Sequence, residues 1–154
     1  GRRALGNRSI IADPRSEDMK ELINEKVKHR QWYRPFAPSM LREEVSEWFE
    51  RDDDSPYMNI VLRFKKEKIS SVPAVAHKDG TARVQTVTEN DNKWYYNFIS
   101  KWHERSGVPI ILNTSFNDRE PICETPKHAV NCFLGTNIDY LYFYDYNILV
   151  EKKK

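Results

Sequence analysis

Long apolar runs are missing from this chain, and so are the glycine-rich and nucleophile signatures of many enzymes. With 31% charged residues, no segment approaches the roughly 20 apolar residues of a membrane-spanning helix. No signal peptide is visible. The two cysteines, Cys123 and Cys132, are too few and too widely spaced for a zinc site, and they imply no disulfide framework. A reducing cytoplasm is therefore the expected compartment. Five glycines and eight prolines exclude a collagen-like or low-complexity chain. P-loop, G-x-G-x-x-G, G-x-S-x-G and H-E-x-x-H motifs are all absent. The net charge of +2 does not indicate a generic nucleic-acid or membrane binder.

What is present suits one folded domain. The 154 residues are 39% hydrophobic and 12% aromatic, too apolar for intrinsic disorder. A core of this size buries roughly 70% of the surface of the unfolded chain. Charge is unevenly placed. Residues 1–42 hold ten Lys and Arg against five Asp and Glu, whereas residues 43–154 hold fifteen against eighteen. The basic end is either a solvated surface or a face for an anionic ligand.

The pattern predicts a helix over 17–30, capped by Ser16, with Met19, Leu22, Ile23 and Val27 on one face. Pro35 and Pro38 enforce a non-helical stretch. A short helix over 41–49, a strand over 57–64 and a strand over 82–87 after the Asp79-Gly80 turn follow. Residues 91–105 carry Trp94, Tyr95, Phe98, Ile99 and Trp102 at helical spacing, a stripe that reads as core, and Gly107 ends the helix. Val108–Leu112 reads as a buried strand that breaks at Asn113. Thr125-Pro126 starts a helix with Ala129, Val130, Phe133 and Leu134 buried. One or two strands close the chain over 140–150. Alternating helices and strands imply an α/β fold, bordering on α+β, with a mixed sheet.

Candidate chemistry is basic and small-polar. Asn113, Ser115 and Asn117 follow the buried strand, where ligands of open α/β sheets sit. An ordinary turn explains the same composition. Lys28 and Arg30 lie at the end of a predicted helix, where the dipole favours cations. Arg34 stands between an aromatic pair and two prolines, a rigid place for a guanidinium that pairs bidentately with phosphate. Arg83 lies in a strand, either on a solvated face or aimed at an anion. His29, His77, His103 and His128 lack metal-ligand spacing and read as structural or exposed.

Four segments in order, Arg3-Ala4-Leu5-Gly6-Asn7-Arg8-Ser9-Ile10, Arg34-Pro35-Phe36-Ala37-Pro38-Ser39, Asp79-Gly80-Thr81-Ala82-Arg83-Val84-Gln85 and Leu112-Asn113-Thr114-Ser115-Phe116-Asn117, resemble the C-terminal domain of NodU/TobZ/CmcH-type carbamoyltransferases. The resemblance spans nearly the whole chain. It implies a YrdC-like domain, a twisted mixed sheet packed with helices. It also implies binding of ATP with Mg²⁺ and formation of carbamoyl adenylate from carbamoyl phosphate or its carbamate. A separate N-terminal transferase domain would pass the carbamoyl group to a hydroxyl of a small-molecule or sugar acceptor, so the chain reads as part of a longer protein. A Lys-x-Arg pair and a distant Ser-x-Asn, similar to Lys28-His29-Arg30 and Ser115-Phe116-Asn117, mark the YrdC-like pocket. By the same resemblance Lys28, Arg34 and Arg83 serve the chemistry. The resemblance likewise implies that Arg3, Arg30, Asn113, Ser115 and Asn117 bind substrate and nucleotide.

The expected partners are ATP, carbamoyl phosphate and the companion N-terminal domain. The Tyr140–Tyr146 segment suits core strand packing, an interface with that domain or a homodimer contact equally well. The alternative is a non-catalytic nucleotide- or RNA-binding module that needs the companion domain for activity. Near-neutral charge and the lack of an aromatic RNA platform weigh against nucleic acid.

Overall fold

The computed structural model describes residues 4–152. They begin with β1 (Ser9–Ala12), α1 (Asp18–Leu22), a π-helical turn at Ile23–Val27, β2 (Ala37–Leu41), a 3-10 turn at Arg42–Glu44 and α2 (Val45–Trp48). Next come β3 (Leu62–Arg63), a 3-10 segment at Lys66–Ser71, β4 (Thr81–Ala82), β5 (Gln85–Val87) and α3 (Lys93–Ser106). The chain continues through β6 (Ile110–Ser115) and α4 (Pro126–Gly135) to a hairpin of β7 (Tyr140–Phe143) and β8 (Ile148–Glu151). The fold is α/β.

The apolar run after Gly107 organises the main sheet, whose strand order is β1-β6-β2-β5. β6 is antiparallel to β1 and to β2, and β5 joins β2 in parallel. Both faces of the sheet are covered, so alternate residues of β6 enter different cores. Ile110 and Leu112 join a large cluster with Phe36, Met40 and Phe133. Ile111 turns the other way, to Leu41, Val87 and the α3 residues Tyr95 and Ile99. Each such buried side chain is worth roughly 1.5–3 kcal/mol relative to exposure. No helix among the described residues is long and apolar enough to cross a membrane.

Local signals held where short-range chemistry decides. The Asn92 side chain accepts from the Tyr95 backbone N–H at 3.2 Å, starting α3, and Gly107 ends it at φ 75°. Thr125 caps α4 through the His128 N–H at 3.2 Å, with Pro126 in the first turn. The predicted helix over 17–30 is shorter and different. Glu17, not Ser16, stands at its start, without a side-chain cap. Its last turn widens, so that the Lys28 N–H reaches the Ile23 carbonyl at 2.8 Å. Ile23, Asn24, Val27 and Lys28 face inward and Leu22 is left exposed.

The predicted strand over 57–64 shrinks to Leu62–Arg63, because the backbone turns at Met58 (φ 57°) while Ser55 pairs with Thr86. The strand over 82–87 is two strands: Thr81–Ala82 pairs with β3, and Gln85–Val87 pairs with β2. Helical spacing also overestimated two buried faces. On α4, Ala129 and Phe133 are buried but Val130 and Leu134 are exposed. On α3, Tyr95 and Ile99 are core, whereas Trp94 stacks outward on Phe98 and on Tyr142 and Tyr144 of the terminal hairpin region, with centroids 5.2–5.6 Å apart.

One glycine controls how the first loop meets α3. Gly6 sits at φ 82°, and a Cβ there would lie 2.5 Å from Cδ2 of the buried Tyr95 ring. The Asn92 amide donates to the Leu5 carbonyl at 2.9 Å and pins the same loop. Gly6→Ala should therefore lower stability by about 2–4 kcal/mol, from left-handed strain and overpacking together. Urea unfolding measures this as a lower midpoint at unchanged slope.

Candidate functional site

The strand registers gather the motif segments at one end of the main sheet. Ser9 opposes Ser115, Ala37 opposes Asn113 and Ser39 opposes Gln85. The N-terminal ends of β1, β2 and β5 thus lie beside the C-terminal end of β6. An open cleft of about 420 Å³ forms there, lined by Lys28, His29, Arg30, Arg34, Ser115, Asn117, Asp118 and Arg119. Its size suits a small-molecule ligand.

Lys28 is the centre of this arrangement. The wide turn ending in His29 (φ 47°) directs its side chain under the end of β6, where it is only 5% exposed. Its ammonium donates to the Ser115 carbonyl at 2.6 Å, the Asn117 carbonyl at 2.7 Å and Asn117 Oδ1 at 2.8 Å, with Ser115 Oγ at 3.3 Å. Ser115 Oγ also donates to Asn117 Oδ1 at 2.7 Å, and Asn117 Nδ2 to the Glu120 carbonyl at 2.8 Å. Burial pushes the Lys28 ammonium down to about 8, and the neighbouring Arg30 charge adds to the effect. The oxygen cradle favours the charged form and works against this shift.

The rest of the cleft is cationic. Arg30 is half-buried, with its guanidinium 4.9 Å from the Phe36 ring centroid and its Nε donating to Asn24 Oδ1 at 2.7 Å. Burial and the Arg34 charge hold its pKa below the ordinary value. Arg34 and Arg119 are exposed at the rim. The carboxylate lining the cleft, Asp118, lies 2.9 Å from His29 Nδ1. Three guanidiniums and the buried Lys28 ammonium against one carboxylate give the cleft a positive field that can hold a polyanion and stabilise charge that builds on phosphoryl oxygens.

A carbamoyltransferase C-terminus family profile matches residues 1–152. The chain belongs to the carbamoyltransferase C-terminal family. It is similar to nodulation protein NolNO of Sinorhizobium fredii, 48% identical over 99% of this chain and 23% of that protein. An uncharacterised protein of Methanocaldococcus jannaschii is 45% identical over 99% of this chain and 25% of that protein. The 3'-hydroxymethylcephem-O-carbamoyltransferase of Amycolatopsis lactamdurans is 40% identical over 76% of this chain and 22% of that protein. The chain thus spans about a quarter of the length of the curated relatives it matches.

Of the positions that the family resemblance picks out, Lys28, Arg30, Arg34, Ser115 and Asn117 line one cleft. Arg83 does not line it. The register places Arg83 just before β5, at the same end of the sheet, where its exposed guanidinium has no hydrogen-bond partner among the described residues. Its charge helps, after burial, to lower the pKa of His77. Asn113 is turned inward: its Nδ2 donates to Ser39 Oγ and Gln85 Oε1, both at 2.8 Å, and ties β6 to β2 and β5. Arg3 lies outside the described residues.

Sequence reasoning missed His29, Asp118, Arg119 and Asn24. His29 and Asp118 stand 89 positions apart, and no spacing rule joins them. Asn24 reads as an ordinary helix residue until the chain reverses over it. Burial pushes both thiols up, Cys132 to about 11, leaving it a poor nucleophile. Among the described residues no cluster of three metal-ligating groups occurs.

Lys28 also makes stability depend on pH. In the unfolded chain a lysine titrates near 10.5, against about 8 here, so between those values the unfolded chain binds the extra proton. Stability contributed by this group therefore rises with pH across that window, and below about 8 its full burial cost is present. Urea unfolding across the window should show wild type gaining on Lys28→Met as pH rises. Parallel curves would contradict the shift.

Proposed function

We propose that this chain binds ATP with Mg²⁺ in the Lys28 cleft and forms carbamoyl adenylate, as the C-terminal part of an O-carbamoyltransferase. The observation that carries this reading is the convergence of Lys28-His29-Arg30 with Ser115-Phe116-Asn117 around one cationic cleft. The relatives support it at the level of carbamoyl transfer, since one is named for transfer to an oxygen of a hydroxymethylcephem. The acceptor would be read by a domain outside this sequence.

In the proposed reaction water cleaves carbamoyl phosphate to carbamate and inorganic phosphate, and a carbamate oxygen then attacks the α-phosphorus of ATP. The new bond is carbamate oxygen to phosphorus, and the bond that breaks joins the α-phosphorus to the leaving pyrophosphate. Two anions must approach, and negative charge grows on the phosphoryl oxygens and the leaving group. Arg30 and Arg34 face that charge as guanidiniums able to bind two oxygens each. Lys28 holds the Ser115–Asn117 turn in shape, so that its hydroxyl and amide stay at the cleft wall. Arg83 stands free to meet the far end of a longer ligand. Among the described residues the cleft offers Asp118 as its only carboxylate, already paired with His29, so Mg²⁺ fits as an ion carried chiefly by the triphosphate. When bound it would neutralise phosphate charge. The reaction needs no covalent nucleophile, in keeping with the absent nucleophile motifs.

Calorimetric titration with ATP and Mg²⁺, with and without carbamoyl phosphate, tests the proposal. Saturable, nucleotide-selective binding is expected, with pyrophosphate released once carbamoyl phosphate is added. Arg30→Ala and Arg34→Ala should each weaken binding at least about tenfold, the loss of a charge-assisted contact worth roughly 1.5–3 kcal/mol, and Lys28→Ala should weaken it comparably by releasing the Ser115–Asn117 turn. Arg83→Ala should do the same if the ligand extends beyond the cleft. Unchanged affinity in folded Arg30 and Arg34 variants would remove the cleft as the nucleotide site.

A further inference from the structure

We infer that Asn24 is a positioning residue, a buried neutral amide that sets the direction in which Arg30 and Arg34 face an anion. The inference rests on reading the cleft as a phosphate-binding site. Asn24 is fully buried in the π-helical turn, and its side chain is completely used. Nδ2 donates to the carbonyls of Trp32 and Arg34, both at 2.9 Å, and Oδ1 accepts from Arg30 Nε at 2.7 Å. Its backbone carbonyl accepts the Arg30 N–H at 2.9 Å. One residue thus fixes three points of the loop that carries both guanidiniums.

The direction of the amide is dictated. Turned over, its NH₂ would face the Arg30 N–H and its oxygen would face two carbonyls, losing all three bonds at once. The arrangement depends on the wide turn and on the backbone reversal at His29, which bring residues 30–34 back over Asn24. Arg30 is then held from two sides. Asn24 takes its Nε and Phe36 lies against its plane, so that Nη1 and Nη2 remain for the cleft.

Neutrality is the point of the choice. Arg30 and Arg34 are close enough to repel each other. A carboxylate at position 24 would offset Arg30 and spoil the field offered to an anion. It would also present oxygen, not N–H, to the carbonyls of Trp32 and Arg34. An amide both donates to those carbonyls and accepts from Arg30 without consuming its charge.

The test uses the full chain, wild type and Asn24→Asp, with Arg30→Ala alone and combined with it. Affinity for pyrophosphate and for ATP with Mg²⁺ is read by calorimetry. The Arg30 Hε signal is read by ¹⁵N nuclear magnetic resonance. Asn24→Asp should weaken anion binding at least about tenfold in the wild-type background, through misdirected charge-assisted contacts. In the Arg30→Ala background the further loss should be clearly smaller, since only the direction of Arg34 then remains to be lost. The Hε signal should exchange slowly in wild type and change its position or exchange rate in the variant. Wild-type affinity in a folded Asn24→Asp, or equal losses in both backgrounds, would overturn the inference. If Asn24→Asp does not fold, Asn24→Ser replaces it under the same criteria. Should wild type bind neither anion, the nucleotide reading fails and the Hε signal decides alone: slow exchange lost on substitution upholds the positioning of Arg30, and rapid exchange in wild type overturns it.

Discussion

An ammonium buried beneath the end of a strand is costly unless its three protons find acceptors, and at Lys28 they find four oxygens of two residues. These bonds join positions 87 and 89 apart in sequence, so they fasten the first helical segment to the end of β6. An unpaired charge at this depth would cost several kcal/mol, which makes the turn at Ser115–Asn117 and the helix end mutually dependent. The cleft is the consequence. Its back wall is the Lys28 cradle, and its mouth is the loop that returns through Arg30 and Arg34.

Backbone irregularity also shapes this place. The π-helical turn and the left-handed His29 are both unfavourable locally, and both are needed to turn Lys28 inward while leaving Val27 in the core. The sheet supplies the rigid frame. Asn113, Ser39 and Gln85 satisfy one another between three strands, so polar side chains beneath α3 serve as cross-links of the sheet. This division of labour explains why Asn113 and Ser115, two positions apart on one strand, do different work. The first points into the packed layer, and the second reaches the strand end, where the cleft begins.

The α/β class, the buried strand after Gly107, the helix over 91–105, the helix start at Thr125 and the family were all legible in the residues. Lys28, Arg30, Arg34, Ser115 and Asn117 were legible as a set only through the family resemblance. Composition and spacing alone left Lys28 and Arg30 as helix-end cations, Ser115 and Asn117 open between a turn and a ligand site, and Arg34 as a rigidly placed guanidinium with no partner named. Misreadings followed one pattern. Leu22, Val130, Leu134 and Phe98 sit on faces that helical spacing marks as buried, yet the neighbouring layer does not extend over them. The segment 82–87 reads as one strand from its alternation, although Thr81–Ala82 and Gln85–Val87 pair with different partners.

By itself, the sequence determined what local forces decide. Apolar runs choose strand or helix by their period, and caps and glycines end those elements through bonds of four residues or fewer. Only the tertiary structure decided which polar side chains face a ligand and which cross-link the protein. Lys28 was favoured at a helix end by charge alone, but its burial depends on oxygens contributed by a strand far along the chain. Asn24 reads as a helix residue and Asn113 as a turn residue, and each becomes a buried amide donor once the carbonyls of Trp32 and Arg34, or the side chains of Ser39 and Gln85, arrive. Such roles follow from three-dimensional proximity, which no residue period encodes.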